Sequence, residues 1–262
     1  MSINGYDDFK SFFKLRSGLD LNCYKPAQMQ RRIEQFMHNR RFDSYVSFKQ
    51  ALDKDSMLMQ DFFKHLTINV SQFFRDTNQW QVLRERILPT ILKDKSTVKI
   101  WSAGCSSGQE AYTLATTLNE FFSGRSFSIL ATDIDPHILE YAKRGVYSVQ
   151  ELKDVPPILQ SKYFKQHPAG MEIVDKLRQN IVFKQHNLLT DSFQSDFDLI
   201  LCRNVVIYFT EETKQVLYQR FAGSLRTGGF LFTGSTEQIF NLRDLNFTAF
   251  APFFYRKGLP TT

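Results

Sequence analysis

The chain has 262 residues, 42% hydrophobic and 23% charged, and carries a net charge of +6. Such a composition supports one large domain or two smaller ones and excludes an intrinsically disordered chain. Its three cysteines, Cys23, Cys105 and Cys202, lie far apart with no Cys-x-x-Cys pair, which argues against a disulfide framework or a structural zinc site.

No apolar run approaches the roughly 18 residues of a membrane span. The opening Met1-Ser-Ile-Asn-Gly5 has neither the basic nor the apolar region of an export leader, so a cytoplasmic protein is expected. Residues 1–95 hold 16 Lys+Arg against 11 Asp+Glu, whereas residues 96–262 hold 17 against 16. The excess positive charge therefore sits in the first third, where it is either a solvated face or a surface for an acidic partner.

The first 95 residues read as helices. Asp7 and Asp8 open residues 9–15, which Gly18 ends, and Pro26 suits the first turn of residues 27–41. In that second helix Met29, Ile33, Phe36 and Met37 form an apolar stripe, opposite a face rich in Arg and Gln. Asp43 or Ser44 caps a third helix, Ser56 a fourth, and Asp76 a fifth running to about Lys93. The pattern changes at Thr97, where residues 98–103 form a strand running into Gly104-Cys-Ser-Ser-Gly108 and a helix over 109–122. Residues 127–132, 181–186, 197–202 and 230–233 read as further strands, with helices over 136–144 and 211–225 and a turn at Gly228-Gly229. One or two closing strands fall in residues 247–256. Such alternation predicts a mostly parallel sheet with helices on both faces. Between Arg144 and Ile181, residues 162–167 and 171–178 flank Pro168-Ala-Gly170, and a small inserted β-subdomain is expected there, spanning about 146–180. The domain boundary is expected at residues 75/76.

The glycine loop follows a strand and precedes a helix, a place where backbone can approach a ligand. It is not a Walker-type loop, since no Lys follows, and Ser106 fills the middle glycine position of a dinucleotide fingerprint. Gly104-Cys-Ser106-Ser-Gly108 does match the G-x-S-x-G elbow of hydrolases, with Ser106 as nucleophile and His186 downstream. Against that reading, everything upstream is helical and no His-Gly-Gly segment precedes it. The loop fits better the first turn of an S-adenosylmethionine (SAM) methyltransferase. In that fold an acid ending the second strand, here Asp133, accepts the ribose hydroxyls. Glu110, in the first turn of the following helix, is placed to meet the ligand's α-ammonium group.

Four segments then become recognisable together: Thr67-Ile-Asn-Val-Ser-Gln-Phe-Phe-Arg75, Ile100-Trp-Ser-Ala-Gly-Cys-Ser-Ser-Gly-Gln-Glu110, Ala131-Thr-Asp133 and Leu201-Cys-Arg-Asn-Val-Val-Ile-Tyr-Phe209. They resemble the CheR family of chemoreceptor glutamate O-methyltransferases, as do Tyr163-Phe164 through Gly170, Leu177-Arg178 and Asn187-Leu-Leu189, and the likeness runs from about residue 20 to 255. The resemblance implies a Rossmann-like SAM-dependent methyltransferase fold with an N-terminal all-helical domain and an inserted antiparallel β-subdomain. It further implies that Asn69, Ser71, Arg75, Glu110, Asp133, Asn187, Leu188, Arg203 and Asn204 bind SAM, with Asn187 and Leu188 at the adenine. Arg75 and Tyr208 become the candidates for orienting the substrate glutamate or the ligand carboxylate. No metal is expected. One departure is Gln109, where many members carry an acid.

A glutamate acceptor suits a site without an evident general base. Its reference pKa of about 4.3 leaves it ionised at neutral pH, whereas an amine near 10.4 must first lose a proton. The partner is expected to be the cytoplasmic helical region of a membrane chemoreceptor, met by Arg31, Arg32, Arg40 and Arg41, with the inserted hairpin as a possible edge for a receptor C-terminal peptide. Two alternatives stay open. A nucleic-acid methyltransferase would explain the basic third, but residues 202–208 carry neither Pro-Pro nor Pro-Cys; a non-catalytic SAM-binding scaffold would bind without turnover.

Overall fold

The computed structural model describes residues 5–93 and 95–258. The stretch Met1 to Asn4, which bears on the leader reading above, lies outside them. The chain divides into two compact units, one holding the residues up to Asn69 together with Tyr208–Gln215, the other holding Val70–Ile207 and the residues from Val216 onward.

The first unit is helical. α1 (Tyr6–Ser17) ends at Gly18, whose left-handed backbone lets its N–H reach the carbonyl of Lys14. α2 (Pro26–Asn39) starts on its proline and buries the expected stripe of Met29, Ile33, Phe36 and Met37. α3 (Tyr45–Lys54) is capped by Ser44. α4 (Ser56–Leu66) is capped by Asp55 rather than Ser56, because the Asp55 carboxylate accepts from both Met57 N and Leu58 N. The core between these helices is built from phenylalanine: Phe62 packs edge-on against Phe48 at 4.9 Å and Phe13 at 5.1 Å. Such geometry adds about 0.5–1.5 kcal/mol per pair beyond area burial. Residues 208–215 return to this unit through an antiparallel bridge between Tyr24 and Phe209.

The second unit opens with α5 (Thr77–Val82), a π-helical turn (Leu83–Ile87) and α6 (Leu88–Leu92). The single helix expected here is thus interrupted, and Pro89, which lacks an N–H and crowds the preceding turn, accounts for the wider turn before it. Asp76 stands at the helix start with a left-handed backbone but makes no side-chain cap. There follow β1 (Thr97–Ala103), α7 (Gln109–Phe121), β2 (Ser126–Asp133) and α8 (Pro136–Arg144). The insertion comprises β3 (Val146–Tyr147), a 3₁₀ turn, α9 (Pro157–Tyr163), β4 (Phe164–His167), β5 (Gly170–Ile173) and α10 (Asp175–Arg178). Its strands pair as an antiparallel sheet in the order β3-β5-β4. The hairpin is legible in the sequence, whereas β3 and α9 are not, and residues 175–178, expected in its second arm, form α10 instead.

β6 (Ile181–Gln185), β7 (Phe197–Cys202), α11 (Glu211–Ser224), β8 (Leu225–Thr233), β9 (Phe247–Ala251) and β10 (Phe254–Lys257) complete the chain. The main sheet runs β6-β2-β1-β7-β8-β10-β9, parallel from β6 to β8 and antiparallel beyond. Gly228 and Gly229, expected as a turn, lie inside β8. There the pairing with β7 jumps from Phe197↔Leu225 to Leu199↔Phe230, and the intervening residues bulge out. The order matters for function. From β1 the chain winds outward through β2 and β6, then restarts at β7 on the other side, so a crevice opens at the carboxyl ends of β1 and β7, where ligands bind in open α/β sheets.

Candidate active site

The ends of β1, β2 and β6 are tied edge to edge beside this crevice. The N–H groups of Gly104 and Cys105 both donate to the carbonyl of Thr132 at 2.8 Å, and His186 N donates to the Asp133 carbonyl at 2.9 Å. The loop after β1 makes three left-handed residues, Gly104 (φ 79°), Ser106 (φ 49°) and Gly108 (φ 90°). A Cβ on Gly104 would come within 2.5 Å of the Val205 side chain, so the loop can lie against the β7 end only as glycine. Ser106, the nucleophile of the hydrolase reading, donates its N–H to Asp133, and its buried hydroxyl has no hydrogen-bond partner among the described residues. A base bonded to that hydroxyl is what an elbow serine requires.

Two carboxylates mark the crevice. Asp133 ends β2, buried, with Ser106 N donating to Oδ2 at 2.8 Å and Asp135 N to Oδ1 at 3.1 Å. Burial raises its pKa above the ordinary aspartate value, and these N–H groups, with that of Ile134, only partly oppose the rise. An ionised carboxylate has about four acceptor sites. The backbone N–H groups of Ser106, Asp135 and Ile134 occupy part of that capacity, and the rest is available to a ribose hydroxyl. Glu110, in the first turn of α7, accepts from Ser102 Oγ at 2.7 Å and from Arg203 Nη1 at 3.4 Å. Burial raises its pKa as well, with the Arg203 charge as the largest opposing influence and Arg75 contributing further.

Arg203 sits at the centre of this arrangement rather than at its rim. Its side chain is 3% exposed, and Nη2 donates to the Arg75 carbonyl at 2.9 Å, to Asp76 at 3.0 Å and to Gln79 at 3.2 Å. The guanidinium also lies over the rings of Phe232 at 4.6 Å and Trp80 at 5.7 Å. Arg203 therefore joins the segment leading into α5 to Glu110, and the left-handed backbone at Phe74 (φ 51°) and Asp76 (φ 60°) turns the chain toward it. Arg75 itself is half-buried on the same segment, as is Ser71 just before it.

The remaining expected residues fall into two groups. Asn187 and Leu188 follow β6 directly, Asn187 Oδ1 accepting from Leu189 N at 2.9 Å, and Asn204 begins the turn after β7 with a left-handed backbone (φ 58°). Ser71, Arg75, Glu110, Asp133, Asn187, Leu188, Arg203 and Asn204 thus all belong to the second unit. Asn69 and Tyr208 belong to the first. There, Asn69 Nδ2 donates to Thr67 Oγ1 at 3.4 Å, and the Tyr208 carbonyl accepts from Lys25 N at 2.9 Å.

The four arginines expected to meet a partner also lie in the first unit and differ among themselves. Arg31 and Arg41 are exposed, and Arg40 is exposed in an ion pair with Asp61 at 2.9 Å. An exposed pair of this kind contributes about 0–1 kcal/mol and exchanges readily for another anion. Arg32 is different. It is half-buried, its guanidinium donates to the carbonyl of His65, and the His65 ring reaches back to the Arg32 carbonyl at 3.0 Å, so it braces α2 against the end of α4.

One residue of this region went unread in the sequence. Glu237, 3% exposed, accepts from Asn204 N at 2.6 Å and Gly234 N at 2.8 Å through Oε2, and from Ile207 N at 3.3 Å through Oε1. It holds the turn after β7 to the turn after β8, although it belongs to none of the recognised segments. Glu237→Gln should cost about 1–3 kcal/mol in urea unfolding, since an amide nitrogen must then face a backbone N–H that had an acceptor. Wild-type stability in that variant would remove the carboxylate from this role.

These residues fit SAM. Ser106 Oγ, Asn204 Oδ1 and Arg203 Nε are buried polar atoms with no partner among the described residues, all at the carboxyl ends of β1 and β7 beside the glycine loop. Unpaired buried groups are costly and call for a ligand or solvent to satisfy them.

The relatives of the chain agree with this arrangement. A family model described as the SAM-binding domain of CheR methyltransferase matches residues 69–252, and one described as its all-alpha domain matches residues 4–67. The chemotaxis protein methyltransferase of Listeria monocytogenes is 42% identical over 250 residues, covering 95% of each chain. That of Listeria innocua is 41% identical over the same length and share. Chemotaxis protein methyltransferase 1 of Pseudomonas aeruginosa is 32% identical over 252 residues, 91% of this chain and 92% of that one.

Proposed function

The chain belongs to the CheR methyltransferase family, and from that premise we propose that it methylates glutamate side chains in the cytoplasmic helical region of membrane chemoreceptors, for sensory adaptation. The products are glutamate 5-O-methyl esters and S-adenosylhomocysteine. The observation that carries the reading is the pair of carboxylates at the switch point of the sheet, Asp133 buried and Glu110 largely so, beside a loop whose Gly104 admits no side chain.

Bound SAM supplies an electrophilic methyl group on a sulfonium centre. Asp133 would hold the ribose hydroxyls on the acceptor capacity that its backbone N–H bonds leave. Glu110 would take the α-ammonium group, and the approach of that cation would favour the ionised carboxylate that burial otherwise disfavours. Asn187 and Leu188 would line the adenine, Ser71 and Asn204 would complete the pocket, and the family likeness adds Asn69 to the SAM-binding residues. Arg203 would keep Glu110 in place and ionised.

The acceptor glutamate is an anion at neutral pH and needs no base, so the work left to the protein is alignment, which can be worth about 7–11 kcal/mol. Arg75 and Tyr208 are the residues we assign to that alignment. Too tight a pairing with Arg75 would blunt the nucleophile, so it orients the carboxylate rather than neutralising it. Exposed Arg31, Arg40 and Arg41 would meet the acidic receptor helix, with Arg32 shaping the helix that presents them. β4, a terminal strand of the small sheet, offers an edge to which a receptor C-terminal peptide could add. We place the enzyme in the cytoplasm, where that region of the receptors lies. Among the described residues no helix is long and apolar enough to cross a membrane.

The test is transfer of labelled methyl from SAM to receptor-containing membranes, followed by alkali. Volatile methanol is the expected product, because carboxyl methyl esters hydrolyse. Alkali-stable label would instead mean N- or C-methylation, and binding of SAM without any transfer would favour a scaffold.

A further inference from the structure

The turn after β6 carries Asn187 and Leu188, and most of its own hydrogen bonds are short-range. Thr190 N and Asp191 N donate to the Asn187 carbonyl at 3.3 and 3.0 Å, and Asn187 N donates to Asp191 Oδ2 at 2.9 Å. Bonds of that kind shape a turn without fixing it to the rest of the fold. The anchor comes from α11. Arg220 donates from Nη1 to the carbonyl of Leu188 and from Nη2 to the carbonyl of Asp191, while its guanidinium lies 3.9 Å from the centre of the Phe193 ring. Phe193 in turn packs edge-on against Trp101 of β1 at 4.7 Å, and the Trp101 indole N–H is held by Thr132 Oγ1 at 2.9 Å. One side chain thus ties two peptide groups of the turn to the rigid centre of the sheet.

We infer that Arg220 is a positioning residue for the adenosine end of SAM. The inference rests on the assignment of Asn187 and Leu188 to the adenine given above. By fixing the Leu188 carbonyl, Arg220 sets the plane of the peptide that follows, so the base meets a surface already formed instead of ordering it on binding. Only a planar fork can bridge two carbonyls and stack on a ring at once. Lysine keeps the charge but offers no such geometry. Arg220 touches neither carboxylate of the crevice in the bonds above, so its effect belongs to binding rather than to methyl transfer.

The experiment compares affinities of the full-length chain for SAM and for 5′-methylthioadenosine, which keeps the adenosine and lacks the amino-acid end. Arg220→Met should weaken both ligands by the same factor, about tenfold, the scale of one lost charge-assisted hydrogen bond. Its kcat at saturating SAM should stay within about twofold of wild type, since uniform binding alone is removed. Arg220→Lys, measured in parallel in case the methionine variant folds poorly, should fall between. Glu110→Gln serves as the contrast, weakening SAM while sparing methylthioadenosine. Wild-type affinity in both Arg220 variants, or a loss confined to SAM, overturns the inference and leaves the SAM site standing. Failure of the wild-type chain to bind SAM overturns that site and the inference together.

Discussion

Asp133→Ala should abolish SAM binding while leaving the unliganded fold close to wild-type stability. The two halves of this expectation have separate causes. On the fold side, the raised pKa of Asp133 means that burial outweighs the N–H groups of Ser106 and Asp135 that bond it, so the ionised carboxylate is less favourable there than in water. Truncation leaves those N–H groups without acceptors, at about 1–3 kcal/mol for each one that stays dry. It also relieves the buried charge, and the two effects oppose each other. The sign of the pH dependence follows. A carboxylate whose folded pKa lies above its unfolded value imposes no penalty below the unfolded value, here near 3.8, and its full penalty above the folded one. Wild type should therefore lose stability relative to Asp133→Ala as pH rises through that window. On the ligand side, SAM at about 100 times its Kd should add about 2.7 kcal/mol to the wild-type stability and none to the variant. Thermal melts with and without SAM read both quantities. A SAM-dependent rise in the Tm of Asp133→Ala matching wild type would remove this residue from the ribose site.

What could be read from the sequence was whatever local pattern dictates. The stripe of Met29, Ile33, Phe36 and Met37 has helical period, and the chain buries it as such. β1 and β2 announce themselves as apolar runs ending at Gly104 and Asp133, and the parallel pairing of β1, β2, β6, β7 and β8 follows from the helices between strands. The insertion was harder. β3 has two residues, too few for a period, and it forms because Gly170 brings β5 within reach of the Tyr147 backbone, where a Cβ would lie 2.3 Å from its carbonyl oxygen. The Gly228-Gly229 pair has turn chemistry but serves a bulge. A Cβ on Gly229 would meet the carbonyls of Arg226, Phe197 and Asp198 at 3.0–3.2 Å, a tertiary constraint that no neighbouring residue reveals. In the site, motif segments led to the residues at the strand ends. Glu237 and Arg220 lie outside them, and their importance comes from the backbone groups they accept from or donate to, which a linear reading does not see. Arg32 shows the reverse: a basic residue read as surface is held by the carbonyl of His65.

The second large effect concerns Arg203, which the strand-end motif identified as a pocket residue and the geometry makes a pivot. Arg203→Met fills much of the same volume and leaves the rings of Trp80 and Phe232 packed, but it strands Glu110 and Asp76. Breaking a buried ion pair by removing one partner costs about 3–5 kcal/mol, because the other charge stays desolvated. Asp76 is one-third exposed and can turn to water, so the loss comes mainly from Glu110, whose side chain is 13% exposed. Arg203 is the largest influence holding the Glu110 pKa down, so its removal raises that pKa further. Charging Glu110 then becomes the penalty, absent at acid pH and complete once pH exceeds the raised value. The stability gap between wild type and Arg203→Met should accordingly be smaller at pH 5 than at pH 7.5 in denaturant titrations. Adding Glu110→Gln to Arg203→Met should recover much of the lost stability, since a neutral amide can still bond Ser102 Oγ. It should recover none of the SAM affinity, because the group proposed for the α-ammonium is gone. A stability loss that is independent of pH, or left unchanged by the second substitution, would trace the damage to packing instead of to the stranded carboxylate.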